Sequence, residues 1–279
     1  MLPKMFSRRQ LLLGSAPTAA LSLLGWTYFI EPRWLDITHS ELLIPNLPPE
    51  WSGKRLLHIT DLHSGKVTTS YLQKAIQIIN DLDADLHAFT GDFIDHTGGI
   101  EELKVVLHDY RPAKLGSFAC LGNHDYGLGW WQVEVADKVA ELAYQRGIEV
   151  LKNSRIELDG LHLVGVEDMW SPRFRPTLAF QDWDANNASI CLCHNPDVCD
   201  LPVWVNFRGA ILSGHTHGGQ CKPPFLPPPM LPVMNRRYTS GHFSIDAARS
   251  LYISRGVGHT MRVRFNCRPE IAVLTLKPA

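Results

Sequence analysis

An excess of charge of either sign is absent from this sequence. Its 279 residues include 27 Lys+Arg and 28 Asp+Glu, which gives a formal net charge of −1. No run of basic residues interrupts this balance, and this argues against a protein that follows the phosphate backbone of a nucleic acid. Nucleic acid is therefore not an expected partner.

The sequence also lacks a spaced cysteine framework and any internal repeat. Its six cysteines include several inside apolar runs, where a free thiol packs as a small hydrophobe. The pair Cys191 and Cys193 before His194 could be proposed as a soft-metal site, but no second Cys pair accompanies it. Apolar residues make up 45% of the chain and are spread along it, which excludes disorder, a coiled coil and a collagen-like protein.

An uncharged stretch near the N-terminus differs from the rest of the chain. Three basic residues and no acid precede residues 10–30, which would span about 30 Å as a helix, the thickness of a bilayer core. The motif Ser-Arg-Arg-Gln-Leu-Leu at 7–12 looks like a twin-arginine export signal, with an ordinary signal anchor as the alternative. No clean cleavage site follows, so we expect residues 1–31 to be an uncleaved membrane anchor.

The rest of the chain divides into a short linker and one domain. Prolines between 45 and 49 predict a linker at 32–52, followed by a domain at 53–279. Ser70 is the predicted N-cap of the first helix of this domain. Further predicted helices lie at 100–110 and near 131–146. Predicted strands lie at 55–60, 86–90, 118–121, 156–158, 161–166, 189–193, 210–212, 251–254, 261–265 and 271–276. This periodicity predicts an α/β domain with a mixed sheet.

Polar side chains follow five of these strands at the points where the strands end. Ligand sites in open α/β sheets lie outside the carboxyl ends of the strands, so we expect these five clusters to converge. The segment Gly214–Gln220 is the most specific, because glycine and histidine recur there with no helical or strand period. Single histidines such as His58, His87 and His108 are interpreted as ordinary core or surface residues.

The converging residues offer oxygen and imidazole ligands without a thiolate. Such a set suits Mn²⁺, Fe or Zn²⁺ better than a structural cysteine site. Seven protein ligands are too many for one ion, and they fit two divalent ions about 3.5–4 Å apart that share a carboxylate and a bridging hydroxide. Two adjacent cations lower the pKa of that water and neutralise charge on a phosphoryl group.

The order of these motifs resembles that of a known superfamily. Asp-x-His, Gly-Asp-x-x-Asp, Gly-Asn-His-Asp, a lone His and Gly-His-x-His look like the calcineurin-like metallophosphoesterases. More closely, the chain resembles the bacterial phosphodiesterases of the YaeI/YkuE type, through its arginine-paired leader and the segments 193–197, 214–220, 254–258 and 267–270. The resemblance implies a four-layer α/β/β/α fold, in which a two-sheet β sandwich is flanked by helices.

The resemblance also implies a role for each motif residue. Seven residues would hold the two metals: Asp61, His63 and His217 the first ion, Asn123, His194 and His215 the second, and Asp92 both. His124 would stabilise the transition state or protonate the leaving oxygen, and Asp125 would orient its imidazole. Asp95 would fix a metal ligand without contacting the metal.

The expected function is therefore a metal-dependent phosphodiesterase. The substrate would be a small-molecule or lipid-linked phosphodiester. A bridging hydroxide would make an in-line attack on its phosphorus, and His124 would assist. A UDP-2,3-diacylglucosamine pyrophosphatase of lipid A biosynthesis is one alternative. It suits a membrane anchor, although that lipid precursor is made on the cytoplasmic side. A non-catalytic membrane-anchored binding protein is a second alternative, and a nuclease a third.

Three further expectations concern the surroundings of the site. The basic leader predicts export by the twin-arginine machinery and a catalytic domain on the periplasmic face of a bacterial inner membrane. Among the arginines near the end of the sequence, Arg255 and Arg262 are candidate substrate contacts. The six prolines between 223 and 232 either shape a rim over the site or form a stiff surface loop.

Overall fold

The computed structural model describes the backbone of residues 8–279 and the side chains of residues 17–279. The helices of this part are α1 (Arg8–Gly25), α2 (Thr69–Asp81), α3 (Ile100–Val106), α4 (Val133–Gln145) and α5 (Pro176–Ala179). Its strands are β1 (Asp36–Ile44), β2 (Arg55–Ile59), β3 (Leu86–Thr90), β4 (Ser117–Cys120), β5 (Glu149–Val150), β6 (Ser154–Leu158), β7 (Leu161–Gly165), β8 (Ala188–Leu192), β9 (Gly209–Ser213), β10 (Gly241–Ser244), β11 (Arg249–Ile253) and β12 (Glu270–Pro278).

The strands form two mixed six-stranded sheets. The first has the order β1-β12-β2-β3-β4-β5, in which β2 to β5 are parallel and β12 runs antiparallel to β2. The second has the order β10-β11-β9-β8-β7-β6, in which β11, β9, β8 and β7 are parallel. Parallel strands end at the same edge of their sheet, so the loops after β2, β3, β4, β8 and β9 can build one site.

Alternating side chains on each strand divide the core into layers. Leu56 on β2 packs between the two sheets against residues such as Ile190 and Leu212. Its neighbour Leu57 points to the other face, where it belongs to the core under α2, α3 and α4. The outer face of the second sheet is covered by α5 and aromatic loops that include Trp204. The predicted two-sheet sandwich flanked by helices is confirmed.

Residues 36–44, which we assigned to a linker, instead form β1. This strand pairs in parallel with β12 along nine residues, from Asp36 opposite Glu270 to Ile44 opposite Pro278. After β1, Leu47 and Trp51 are buried in the core between the two sheets. The linker assignment is therefore corrected: these residues are part of the sandwich, because the prolines lie in a turn after an edge strand rather than between two bodies.

Two local predictions also differ from the structure. The first domain helix begins two residues earlier than expected, with Thr68 instead of Ser70 at its N-cap position, because the Thr68 carbonyl already accepts the N–H of Leu72. The helix predicted to reach residue 110 ends at Val106. Beyond it the chain turns, so that the Tyr110 hydroxyl reaches Ser117 and His87 inside the domain.

The strand predicted at 261–265 is wrong. Arg264 lies within this segment and is fully buried. Its guanidinium donates hydrogen bonds to the carbonyls of Cys267, Arg255 and Gly258, at 3.0, 2.8 and 2.5 Å. Satisfying these donors curls the backbone around the side chain, which a flat strand does not allow.

The N-terminal prediction is tested only in part. The uncharged stretch is divided between α1 and a π-helical segment, Trp26–Ile30. Among the described residues, no helix is both long and apolar enough to cross a bilayer. The side chains of the twin-arginine motif at 7–12 are outside the described part of the chain. Export therefore stays a prediction.

Candidate metal centre

Loops after five strands bring the seven predicted ligands to one place. Asp61 and His63 follow β2, Asp92 follows β3 and Asn123 follows β4. From the second sheet, His194 follows β8, while His215 and His217 follow β9. All seven side chains are buried, with at most 5% of any of them exposed. The sandwich thus gathers groups that are far apart in sequence at the common edge of its two sheets.

Five of the seven residues have left-handed backbone conformations that non-glycine residues rarely adopt. They are Asp61, His63, Asp92, His215 and His217, with φ between 48° and 70°. Such conformations cost of order 1–3 kcal/mol each and persist only where the surrounding structure enforces them. Their concentration here indicates a site that is held for function rather than for stability.

Two glycines allow the loops to approach each other. Gly91 has φ of 87°, and a Cβ there would collide with the backbone of Gly122. A Cβ on Gly122 would in turn collide with the carboxylate of Asp92. The glycine of each motif is therefore required by close contact between the loops after β3 and β4.

The first group of ligands surrounds one point between the sheets. Nε2 of His63 lies 3.1 Å from Nε2 of His217, and Oδ1 of Asp61 lies 3.4 Å from Nε2 of His217. A ligand atom from each of these three residues lies within 4.8 Å of the other two. Spacing of this kind lets three donors point at a common ion.

The second group lies beside the first and shares Asp92. Oδ2 of Asp92 is 3.1 Å from Nε2 of His194 and 3.5 Å from Nε2 of His63. Nε2 of His194 is also 3.2 Å from Nδ1 of His215. One carboxylate therefore faces imidazoles of both groups, which is the position that a bridging ligand requires.

Backbone carbonyls orient two of these imidazoles. Nδ1 of His194 lies 2.6 Å from the carbonyl of Thr90, and Nε2 of His215 lies 2.8 Å from the carbonyl of Pro232. Each carbonyl accepts the proton of that nitrogen, so the opposite ring nitrogen is left with a lone pair directed into the site.

The charges of the site favour a bound cation. Burial opposes ionisation of Asp92, but the imidazoles of His194 and His124 outweigh it and hold the pKa of Asp92 well below its ordinary value. Burial alone would lower the pKa of His194, but the carboxylates of Asp92, Asp61 and Asp168 raise it to about 10, so this imidazole holds a proton that a bound cation would displace. Anionic carboxylates enclosed without water need positive charge beside them.

Unpaired polar atoms support the same interpretation. The side-chain oxygen and nitrogen of Asn123 are both buried without a hydrogen-bond partner in the described structure, as is Nδ1 of His217. Buried polar groups of folded proteins are nearly always satisfied, so a whole amide without a partner needs an explanation. A metal ion bound by the amide oxygen would account for that oxygen, and the residues present fit two divalent metals.

Comparison with known proteins agrees with this geometry. The profile of the calcineurin-like phosphoesterase family matches residues 54–219, more than half of the chain. The chain belongs to the calcineurin-like phosphoesterases. As a member of that family it is a hydrolase that acts on phosphoester bonds, and the predicted alternative of a non-catalytic binding protein is not supported.

Curated relatives of this phosphoesterase match it over most of its length. It is 32% identical over 285 residues to the phosphodiesterase YaeI of Escherichia coli K12, which covers 98% of this chain and 100% of the relative. It is 31% identical to the uncharacterized metallophosphoesterase YkuE of Bacillus subtilis 168, over 98% and 99% of the two chains. Identity to the UDP-2,3-diacylglucosamine pyrophosphatase LpxG of Chlamydia trachomatis serovar D is 28%, over 89% and 91%. The predicted resemblance is confirmed.

His124 of the phosphoesterase lies at the edge of the metal centre. Its backbone N–H donates to Oδ1 of Asp92 at 2.9 Å, and its ring meets that of His63 edge-on at 4.7 Å between centroids. Burial would lower the pKa of His124, but Asp92 and Asp95 together raise it above the ordinary value. A protonated imidazole at this point can donate to a phosphoryl or leaving oxygen.

The carboxylate beside the His124 ring is Asp95, and not Asp125 as expected. Oδ1 of Asp95 lies 3.6 Å from Nδ1 of His124 and 3.9 Å from Nδ1 of His63. Asp125 instead accepts hydrogen bonds from the backbone N–H groups of Gly122 and Ile94, at 2.9 and 3.1 Å. Adjacency in sequence misled the prediction, since the short helical turn at 124–126 directs consecutive side chains away from each other.

A pocket of about 570 Å³ opens directly over the metal centre. Its floor includes Asp92, Asn123 and His124, and its walls are mostly apolar. The walls are built by Trp130, Trp170, Pro229, Met230, Leu231, Pro232 and Met261. Of the two readings of the proline-rich loop, the structure supports the rim, because residues 229–232 form one wall of the pocket.

The two predicted substrate arginines lie elsewhere. Arg255 pairs with Glu270 at 2.9 Å and with Asp36 at 3.1 Å. The guanidinium of Arg262 lies over the ring of Tyr28, 4.9 Å from its centroid. Neither is among the pocket-lining residues of the described chain, whereas Arg236 is. The arginine near the site therefore comes from the end of the proline-rich loop.

Sequence reasoning missed an aromatic pair at the pocket mouth. Trp130 and Trp170 stack with centroids 4.8 Å apart, and Trp170 meets the ring of His215 edge-on at 4.7 Å. Trp170 follows β7 after Glu167 and Asp168, so β7 also delivers polar residues beyond its carboxyl end. A search for polar residues after the end of β7, like the one applied to the other five strands, would have found the segment that contains Trp170.

Proposed function

We propose that this phosphoesterase is a two-metal phosphodiesterase for substrates that carry an apolar group next to the scissile phosphate. The arrangement that supports the proposal is the pair of ligand groups joined by Asp92 beneath an apolar pocket. When bound, two divalent ions would activate a water nucleophile and neutralise the phosphoryl charge.

Three residues near the proposed metals have separate roles in the reaction. Asp92 faces both ligand groups and so fixes their separation. His124, whose pKa Asp92 and Asp95 raise above its ordinary value against the effect of burial, can deliver a proton to the leaving oxygen. Asp95, whose carboxylate lies 3.6 Å from Nδ1 of His124, would orient this ring.

The pocket supports the substrate class. Its walls are tryptophan, methionine, leucine and proline side chains, and Arg236 is the guanidinium among its lining residues. Apolar walls stabilise a hydrocarbon or aromatic substituent by removing it from water, about 25 cal/mol for each Å² buried. A small-molecule or lipid-linked phosphodiester fits these walls better than a nucleic acid strand, for which the chain has no net positive charge.

A second candidate is a UDP-2,3-diacylglucosamine pyrophosphatase. The name of the Chlamydia trachomatis relative describes this activity, and the apolar pocket can take acyl chains. We rank it second because the basic leader favours export, whereas that lipid precursor is made inside the cell. Our proposal places the catalytic domain on the outer face of a bacterial inner membrane, with residues 1–31 as its anchor.

A side-by-side substrate panel tests the proposal. Protein purified and reconstituted with Mn²⁺, Zn²⁺ or Fe would be assayed on phosphodiesters, phosphomonoesters and a nucleotide-sugar lipid. We expect diesters with apolar substituents to have the highest kcat/KM and about two metals to bind per chain. Preference for monoesters, or full activity with one metal, would contradict it. Preference for the nucleotide-sugar lipid would favour the second candidate.

A further inference from the structure

Three segments of the chain meet beside the pocket and expose apolar side chains together. They are the π-helical stretch with its continuation at 26–34, the proline-rich loop at 221–237 and the turn at 259–268. Hydrogen bonds join them: Arg264 N–H donates to the Thr27 carbonyl at 3.0 Å, and Lys222 N–H donates to the Phe265 carbonyl at 2.8 Å. These three segments therefore form one continuous face.

Large apolar side chains project from this face into solvent. Phe225 is fully exposed and Leu226 is 63% exposed at the tip of the proline-rich loop. We call the apolar collar the set formed by Tyr28, Phe29, Phe225, Leu226, Met230 and Met261. A single exposed apolar residue is ordinary, but six on adjoining segments are not, and such a grouping marks a contact surface.

The apolar collar is continuous with the mouth of the pocket. Met230 and Met261 both line the pocket and are exposed by 59% and 46%. On its other side the collar adjoins the end of α1, where Leu21 and Leu24 are also exposed. A surface that met the collar would therefore also meet the entrance of the active site.

Charge on the three segments is strongly one-sided. They contain seven Lys or Arg residues and one acid, Glu31, in a chain whose formal net charge is −1. Glu31 is buried, where it accepts hydrogen bonds from Trp26 Nε1 and the Cys267 N–H. Lys222, Arg33 and Arg236 are exposed. The face thus presents cations around apolar tips, which complements an anionic surface.

We propose that this face is a membrane-contact surface. Its apolar collar inserts into the surface of an anionic phospholipid bilayer, and the pocket mouth faces the lipid. Aromatic and aliphatic tips enter the boundary between headgroups and acyl chains, and the surrounding Lys and Arg bind the headgroup phosphates. A lipid-linked substrate would then reach the site from the bilayer without crossing water. The contact itself requires no catalysis and does not depend on the proposed function.

A site-specific label tests the contact in the full chain. Phe225→Cys would carry an environment-sensitive dye, and Tyr144→Cys on α4 and Val205→Cys in the turn before β9 are matched controls, since both residues are exposed and apolar. The unsubstituted chain gives the background labelling. With phosphatidylglycerol vesicles we expect the Phe225→Cys signal to rise roughly threefold and to be quenched by nitroxide-labelled acyl chains. Both controls should stay unchanged.

The controls separate this contact from attachment by the N-terminal segment. Attachment only through residues that precede the collar would leave all three labels in water and would overturn the proposal. An equal response at all three positions would likewise overturn it. A signal that rises with protein concentration in the absence of vesicles would indicate pairing of two copies and would also overturn it.

A charge variant tests the electrostatic part. Lys222→Gln should raise the lipid concentration needed for half of the Phe225→Cys signal by about fivefold, whereas Lys138→Gln on α4 should not. An equal effect of both, or none from Lys222→Gln, would contradict the anionic partner. Hydrolysis of soluble bis-p-nitrophenyl phosphate should be unchanged in Phe225→Cys, so failure of the contact and failure of the catalytic proposal are distinguishable.

Discussion

Oδ1 of Asp95 lies 3.6 Å from Nδ1 of His124 and 3.9 Å from Nδ1 of the metal ligand His63. The same carboxylate accepts a hydrogen bond from the Thr97 hydroxyl at 2.6 Å, so its own position is fixed. A carboxylate held in this way sets the orientation of the ring and favours its protonated form.

Replacing Asp95 should therefore reduce the rate while the metals remain bound. We expect Asp95→Asn to lower kcat about 10- to 100-fold, as is usual for residues that orient a functional imidazole. Metal content measured by mass spectrometry should stay near that of the unsubstituted protein. Asp83→Asn, at an exposed acid paired with Lys114, is the control and should change neither quantity. An unchanged kcat in Asp95→Asn would refute the orienting role.

His124→Ala should affect substrates according to their leaving groups. Since the proposed role of His124 is to protonate the leaving oxygen, the loss should be about 10²- to 10⁴-fold for poor leaving groups and much smaller for nitrophenolate. The measurement is the slope of log kcat against leaving-group pKa. His108→Ala, at an exposed histidine, should leave the slope as it was. The same slope in both variants would remove His124 from proton transfer.

Asp92→Asn should weaken metal binding by both ligand groups. The change removes the negative charge that faces both His63 and His194, and we expect turnover of bis-p-nitrophenyl phosphate to fall by about three orders of magnitude together with metal content. Metal content and rate should be measured on the same preparation. Turnover at the unsubstituted rate would end the two-metal interpretation.

Acid should destabilise the fold through His87. Burial lowers the pKa of His87 to about 4, against 6.5 for the exposed side chain. Between these values the unfolded chain binds a proton that the folded chain does not, so the free energy of unfolding falls as the pH falls. Above pH 6.5 His87 is neutral in both the folded and the unfolded chain, and its full contribution to the free energy of unfolding is present. The loss amounts to about 3 kcal/mol for this residue.

Urea unfolding of a His87 variant measures this effect. His87→Gln removes the titrating group, so the decrease in unfolding free energy from about pH 7 to about pH 4.5 should be smaller than in the unsubstituted protein. The control is His108→Gln, at an exposed histidine, which should retain the full decrease. Equal decreases in all three proteins would contradict a neutral buried His87.

The metal centre was predictable because its residues follow a local rule. Asp61, Asp92 and His194 each stand directly after an apolar strand, and parallel strands end at the same edge. The chemistry then follows from residue type, since carboxylate, amide and imidazole ligands without thiolate suit a pair of hard or borderline ions. The sequence therefore contained both the convergence and the ligand set.

The remaining features depend on contacts between distant segments. Arg264 has the alternation of a surface strand residue, yet it is buried because carbonyls from other turns accept its protons. The assignment of β1 failed for a similar reason, since its pairing partner, β12, lies more than two hundred residues later. The choice between Asp95 and Asp125 was set by the direction of one helical turn, which residue type does not reveal.

The place of β12 constrains the order in which this protein can assemble. This strand lies between β1 and β2, although both precede it by most of the chain. Until residues 270–278 have left the ribosome, β1 has no neighbour and β2 presents an unpaired edge. The first sheet can therefore close only after residues 270–278 have been synthesised, and the nascent chain has to be protected from aggregation until then.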